Sequence, residues 1–252
     1  MSAPVFLGAP EHLAAAREGA VLTVRGPEAR HAVSVRRVRA GEVVDVVDGE
    51  GTRARGEVTA AAGEELAVHV TELTREPAPA VRLVLVQALA KGGRDEQAVE
   101  TATEVGIDAV LPWQSERCVS VWAGKKSAKG RERWQAVALA ATKQSRRAWL
   151  PEVEELVVGR QLLARVASVV DAGGAVVVLH EQATAALATV PLPERGEVLL
   201  VVGPEGGLSE REVADLAARG AVVVRLGPHV MRTSTAGPVA AALLAERLGR
   251  WS

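Results

Sequence analysis

The chain has one cysteine, Cys118, no tyrosine and one phenylalanine in 252 residues. A lone cysteine forms no internal disulfide, so a reducing compartment is expected. Cys118 has no Cys or His neighbour at metal-ligand spacing, so no zinc site is visible. With so few Tyr and Phe rings, base stacking on aromatic platforms is poorly supplied. Trp113, Trp122 and Trp149 are read as core residues. No apolar run reaches the length of a membrane span. The N-terminal "MSAPVFLGAPEHL" lacks a basic stretch and a long apolar core, so no secretory leader is expected and the chain reads as cytoplasmic.

Charge of one sign is also missing overall, because the net charge is −1. Its distribution is uneven. Ser115–Leu150 holds nine basic and two acidic residues, a local +7. "ARHAVSVRRVRA" (Ala29–Ala40) holds Arg30, Arg36, Arg37 and Arg39 with no acid. Such islands on a slightly acidic chain fit a polyanion footprint, although a charge run by itself is also an ordinary solvated face.

What is present falls into two grammars. Short, partly alternating segments fill the first third: Val21–Val24, Glu42–Val47, Thr52–Val58 and Glu65–Leu73, with the turn "DGEG" between two of them. They predict a small antiparallel barrel over residues 1–74. "TREPAPA" (Thr74–Ala80) reads as a linker. Over 80–252, apolar strands alternate with helical segments, which predicts an α/β domain with a parallel sheet. Its strands include Ala175–His180, Glu197–Val202 and Ala221–Leu226, all expected to be buried. In "GPEGGLSERE", Ser209 and Glu212 fit a capping box that opens a helix. The last helix is expected to start near Pro238. It is apolar nearly all round, which suits burial on two sides and a homodimer.

Ligands of open α/β sheets bind beyond the carboxyl ends of the strands. Three loops lie there: "HEQAT" after Leu179, "GPEGG" after Val202, and "GPHVMRTSTAG" after Leu226. None is a Walker A loop or a dinucleotide fingerprint. Glu205 stands where a phosphate would approach, and an unpaired carboxylate there is repulsive. A phosphate-free, cationic nucleoside fits better, and S-adenosylmethionine is one. His180, at a strand end, is weighed as a base and as a satisfied partial-core residue.

"VVGPEGGLSEREV" followed by "LGPHVMRTSTA" closely resembles the paired signature of the RsmE family, small-subunit ribosomal RNA methyltransferases of the SPOUT superfamily. "RHAVSVRRVRAGEVVDVVDGEG" resembles the family's PUA-like barrel. "TATEVGIDAVLPWQSERCV" and "ATKQSRRAWLP" resemble its middle motifs. The resemblance implies a SPOUT-type parallel sheet with a C-terminal trefoil knot after the PUA-like domain. It also implies a homodimer, S-adenosylmethionine in the knot, no metal, and methylation of N3 of the uridine conventionally numbered 1498 in 16S rRNA, free or in the 30S subunit. Two positions depart from the family pattern: Ser234 and Lys143 stand where acids are usual.

On that resemblance, cofactor contacts fall on Leu179, His180, Val202, Gly203, Pro204, Glu205, Gly206, Gly207, Leu226, Gly227, Met231, Arg232, Thr233, Thr235 and Ala236. Arg232 is the expected catalytic residue, stabilising the imide anion of the uracil. Arg30, His31, Arg36, Arg37, Arg117, Gln144, Arg146 and Arg147 are the expected RNA contacts. Two other readings stand beside this one: a non-enzymatic RNA-binding assembly factor, and a NAD-dependent Rossmann enzyme.

Overall fold

The computed structural model describes residues 3–251. These form two units. The first unit runs to Ala78 and takes in Thr142–Leu150, and the second comprises Pro79–Ala141 and the chain from Pro151. Residues 142–150 therefore leave the domain to which the sequence assigned them. The reason is backbone pairing: Gly51 N–H donates to Ala148 O at 3.2 Å and Leu150 N–H to Gly49 O at 2.9 Å. Trp149 Nε1 donates to Glu76 O at 3.2 Å, and Gly51 is bare because a Cβ would meet the Trp149 ring at 2.7 Å.

The first unit holds β1 (Val5–Leu7), α1 (Pro10–Ala14), β2 (Val21–Arg25), α2 (Pro27–Arg30), β3 (Val43–Val47), β4 (Thr52–Ala62) and β5 (Glu65–Arg75). The sheet order is β1-β3-β4-β5-β2. It is not wholly antiparallel, because β1 pairs parallel with β3. Three residues are too few to show a period, which hid β1 in the sequence. Register shifts beside Gly56 and beyond Val58 bend the long β4–β5 hairpin. Gly56 is required there, since a Cβ would lie 2.2 Å from His69 O. Phe6, Leu13, Val44, Val46, Leu66 and Val68 fill the core between the sheet and the short helices.

His31–Val35 forms a π-helix, not an extension of the strands around it. Arg37 follows with φ 55, and Arg146 in the 142–150 segment has φ 58. Both rare backbone states sit in the arginine-rich segments of this unit, and such strain tends to mark functional positions.

The second unit alternates β6 (Val81–Ala88), α3 (Arg94–Val105), β7 (Ala109–Gln114), α4 (Lys125–Ser145), β8 (Glu152–Val153), β9 (Val157–Val158), α5 (Gly159–Asp171), β10 (Ala175–Leu179), β11 (Gly196–Val202), α6 (Glu210–Ala217), β12 (Val222–Val224) and α7 (Thr233–Arg247). The last residues of α4, from Thr142, count with the first unit. All strand pairs are parallel, in the order β12-β10-β11-β6-β7-β8, with β9 also on β7. The central strands β11 and β6 are buried on both faces, as continuous apolar runs require. β12 corrects an expectation: it is an edge strand with one neighbour, and Val222 is 36% exposed.

α7 corrects another. It begins at Thr233, so the "RTSTA" stretch supplies its first turn and Pro238 lies inside it. Proline has no N–H, so the i→i−4 bond to the Ser234 carbonyl is missing there.

Candidate functional site

The three glycine- and polar-rich loops after β10, β11 and β12 meet around one cavity of about 450 Å3. Its wall includes every residue expected to touch the cofactor except Arg232 and Thr235. Apolar wall comes from Leu179, Val202, Leu226 and Met231, and backbone-rich wall from Gly203–Gly207.

The loop after β11 is locked from several sides. Gly207 N–H donates to Pro204 O at 2.9 Å, closing a tight turn. Gly207 has φ 69, a conformation natural to glycine alone. A Cβ on Gly203 would lie 2.8 Å from Leu208 Cδ2. Gly206 is the permissive one, because its nearest neighbour is Arg117 Cβ at 3.4 Å and its φ is not positive. At the end of the loop, Ser209 Oγ accepts from Glu212 N–H at 3.1 Å and Glu212 accepts from Ser209 N–H at 2.9 Å. The capping box is thus formed, and it extends sideways: Ser209 Oγ donates to Glu116 at 2.8 Å, and Glu116 N–H donates to Glu212 at 2.8 Å.

Glu205 does not stand unpaired, which corrects the electrostatic argument against a phosphate. One carboxylate oxygen accepts from Lys91 N–H at 3.1 Å and from Arg94 at 3.2 Å. Burial pushes its pKa up, but hydrogen bonds from its own N–H, the Lys91 N–H and Arg94 outweigh this and hold it below the ordinary carboxylate value.

Beneath the cavity lies a chain of polar contacts that the sequence did not reveal. Gln87, fully buried on β6, donates through Nε2 to Thr233 Oγ1 at 2.8 Å. Thr233 Oγ1 donates to Gly203 O at 2.7 Å. One glutamine inside an apolar strand, "VRLVLVQAL", was the only signal. A buried amide requires partners, so it predicts a polar contact from another element. His180 is held structurally: its N–H donates to Val224 O at 2.9 Å, and its Nδ1 accepts from Gln182 N–H at 3.3 Å.

Arg117, expected on RNA, lies in the cavity wall. Its Nη1 donates to Gly206 O at 3.2 Å and Leu208 O at 3.1 Å, so it clamps the glycine loop. Arg232 is exposed at the N-cap of α7 and does not line the cavity, although Met231 and Thr233 on either side do. Thr235 is also exposed and off the wall. A helix turns about 100° per residue, so Thr233 and Ala236, three apart, face the cavity together while Thr235 points away.

Of the remaining RNA candidates, Arg30, Arg36, Arg37, Gln144 and Arg146 are exposed in the first unit, and His31 and Arg147 are half-buried there. Arg30 pairs with Glu64. The Arg146 carbonyl accepts from Arg53 Nη2 at 2.8 Å. The two positions that depart from the family pattern have local explanations. Lys143 Nζ meets both Glu28 oxygens at 3.1 Å, with the two side chains 21% and 19% exposed. Ser234 is buried in the first turn of α7 and off the cavity wall. Among the described residues no cluster of His, Cys, Asp and Glu could hold a metal, and no helix is long and apolar enough to cross a membrane.

Comparison with known proteins finds two family models that match the chain. Residues 76–245 match a model described as an RNA methyltransferase domain, and residues 24–71 match an RNA methyltransferase PUA domain. Over 235 residues the chain is 46% identical to ribosomal RNA small subunit methyltransferase E of Mycobacterium tuberculosis, covering 92% of this chain and 89% of the relative. Its identity to the Bacillus subtilis protein of the same name is 33% over 226 residues, covering 87% of each. The crystal structure of the Neisseria gonorrhoeae enzyme bound to S-adenosyl methionine superposes with a TM-score of 0.84 at 26% identity, covering 98% of both chains. Neither the assembly-factor reading nor the NAD-dependent one finds support in these matches. The chain belongs to the RNA methyltransferase family, among the ribosomal RNA small subunit methyltransferase E proteins.

Proposed function

We propose that the protein methylates N3 of a uridine in 16S ribosomal RNA, at the position conventionally numbered 1498, using S-adenosylmethionine. The observation that carries this reading is the convergence of three strand-end loops on one cavity in a chain of this family. The cavity suits the cofactor, since 450 Å3 is within the range of small-molecule sites. Leu179, Val202, Leu226 and Met231 offer an apolar slot for adenine, and the bare backbone of the glycine loop offers hydrogen-bonding groups at close range. When bound, the cofactor supplies an electrophilic methyl group.

The chain's own residues do the rest. Arg117 and the Gln87–Thr233–Gly203 relay hold the loop in one shape before any ligand arrives, and a preorganised site loses less entropy on binding. N3 of uracil must lose its proton, here to solvent water, as the methyl arrives. The support for Arg232 is that it is exposed and bracketed by two wall residues, Met231 and Thr233. Its guanidinium would stabilise the charge developing on the uracil oxygens. Arg36 and Arg37, exposed just after the π-helical stretch, and the exposed Arg146 would hold RNA phosphates. Such a substrate places the reaction in the cytoplasm.

The same reading carries a trefoil knot and a homodimer. For the knot, the support is that after edge strand β12 the chain returns as α7 to pack on β6, β11 and α3. For the dimer, the support is a second apolar stripe on α7: Val239 and Ala242 are half-exposed, and Leu243 is 47% exposed. Sedimentation equilibrium should show a dimer at micromolar concentration, and a monomer would remove that part of the reading.

The decisive experiment is single-turnover methylation of small subunits by Arg232→Ala. Turnover should fall about 100- to 1000-fold, the usual cost of one charge-stabilising donor, with S-adenosylmethionine affinity unchanged. A parental rate would refute the role of Arg232. Absence of N3-methyluridine with the parent enzyme would refute the proposed function.

A further inference from the structure

Trp122 is not a core residue, contrary to expectation. It is half-buried and lines a second cavity of about 550 Å3 in the second unit, with Lys91, Asp95, Ser120, Arg133 and Trp134. The ring is fixed in advance. It meets the buried Trp134 edge-on, with centroids 5.1 Å apart at 70°. Gly130 lies against it so closely that a Cβ would come within 2.4 Å of Trp122 Cε2. The Trp122 N–H donates to Gln114 Oε1 at 3.1 Å, tying the segment to β7.

The second cavity borders the first through one loop. Lys91 lines the second cavity, and its N–H donates to Glu205 Oε1, which belongs to a wall residue of the first. Gly92 and Gly93 follow with φ 68 and 73, and neither position has an atom within 4 Å of where a Cβ would lie. On α4, Lys125, Lys126 and Lys129 are exposed, and Arg133 pairs with Glu96 at 2.7 Å on the cavity rim. An anchored indole, a polar wall and neighbouring cations together match a nucleotide: a flat base, its edge and its phosphate.

We propose that this cavity holds the base of an RNA nucleotide flanking the target uridine, stacked on Trp122, with α4 lysines on the adjoining phosphates. The proposal rests on the RNA methyltransferase reading. It makes Trp122 a residue for positioning RNA, acting through the strand and not on the reacting atoms. Since the ring is already immobilised, stacking adds binding at little entropic cost.

The test compares Trp122→Ala, Trp122→Leu and Trp122→Phe as folded full-length proteins, with small ribosomal subunits as the RNA substrate. Base stacking predicts that Trp122→Ala raises KM about five- to a hundredfold. Trp122→Leu should stay near the Ala value, because it restores apolar area without a ring, and Trp122→Phe should recover most of the loss. S-adenosylmethionine affinity and kcat at saturating subunits should stay within about twofold of the parent. Ser120→Tyr, which blocks the cavity from its rim, should raise KM without touching the Trp122–Trp134 packing. A parental KM for Trp122→Ala or for Ser120→Tyr overturns the proposal, and so does equal recovery by Leu and Phe. A parent enzyme that does not methylate the subunit overturns the function and the subsite together. Normal methylation by the parent with an unaffected Trp122→Ala overturns the subsite alone.

Discussion

The two units make function from different materials. The cavity proposed for the cofactor is built of backbone: glycines, loop carbonyls and a helix cap, held in place by Arg117, Gln87 and Thr233. The RNA contacts proposed for the first unit are exposed side chains on unusual backbone, Arg36 and Arg37 just after the π-helix, with positive φ at Arg37 and Arg146. A cavity must keep its shape to within fractions of an ångström, so it is defined by what cannot be substituted. A phosphate-binding face needs charge more than shape, so it tolerates long, mobile side chains. Substitutions should therefore act as shape defects in one unit and as salt-dependent charge defects in the other.

The largest effect on cofactor binding is expected at Gly207. Gly207→Val forces a β-branched residue to φ 69. Strain of about 1–3 kcal/mol at that turn should weaken S-adenosylmethionine binding roughly ten- to a hundredfold, measured by calorimetry. Gly206→Ala is the control, because its Cβ would meet Arg117 at ordinary contact distances, the nearest atom being Cβ at 3.4 Å. If the two behave alike, the distinction between the glycines fails.

Charge reversal in the first unit comes next. Arg36→Glu with Arg37→Glu should weaken RNA or small-subunit binding and flatten the slope of log K against log salt by about two, one for each lost phosphate contact. S-adenosylmethionine affinity should not change. Arg37→Gly sharpens the point. It removes the charge but relieves the positive φ, so thermal stability should hold or rise while RNA binding falls. Unchanged RNA affinity in the double mutant would mean that the barrel is not the RNA platform.

Lys143→Glu tests why this chain departs from the family pattern. It would place two carboxylates where a half-buried ion pair now stands. The cost should lie between the ~1 kcal/mol of an exposed pair and the ~3–5 kcal/mol of breaking a buried one, read from denaturant unfolding. In Lys143→Met, turnover should match the parent. A large loss of turnover without loss of stability would give position 143 a direct part in the reaction.

Thr233→Val keeps the shape but removes the relay. Gln87 Nε2 and Gly203 O each lose the Thr233 hydroxyl. The loss should be about 1–3 kcal/mol of stability for the unsatisfied buried groups, together with weaker cofactor binding. The smallest effect is with pH. Glu205 has a depressed folded-state pKa. Its stabilising contribution is full above the ordinary carboxylate value and is lost only as pH falls through the depressed one. Cofactor affinity should therefore be level from pH 7 to 5. A break in that range that Glu205→Gln abolishes would contradict the assignment.

The glycine loop, its capping box and the three strand ends were legible in the sequence, because each depends on local rules: turn, cap and apolar run. The family signature added the cofactor and the target. Gln87, the clamp by Arg117 and the pairing of Glu205 were not legible. Each joins residues about 90 to 150 positions apart, and no local pattern encodes a partner at that distance. The start of α7 was misplaced because Pro238 looks like a first-turn residue, yet the packing of Thr233 and Ser234 carries the helix a turn further back.

The sequence by itself determined the parallel sheet, the cap at Ser209 and the local excess of positive charge, since burial, capping and charge are properties of neighbours in the chain. Only the tertiary structure decided where that charge goes. It split the basic run Ser115–Leu150: Arg117 went to the wall of the first cavity, Arg133 to a second cavity, and Lys143–Arg147 to the other unit. The reason is geometric. α4 is 21 residues long, about 30 Å at the usual rise. Its residues to Ala141 count with the second unit and those from Thr142 with the first, and each end takes the chemistry of the elements it packs against.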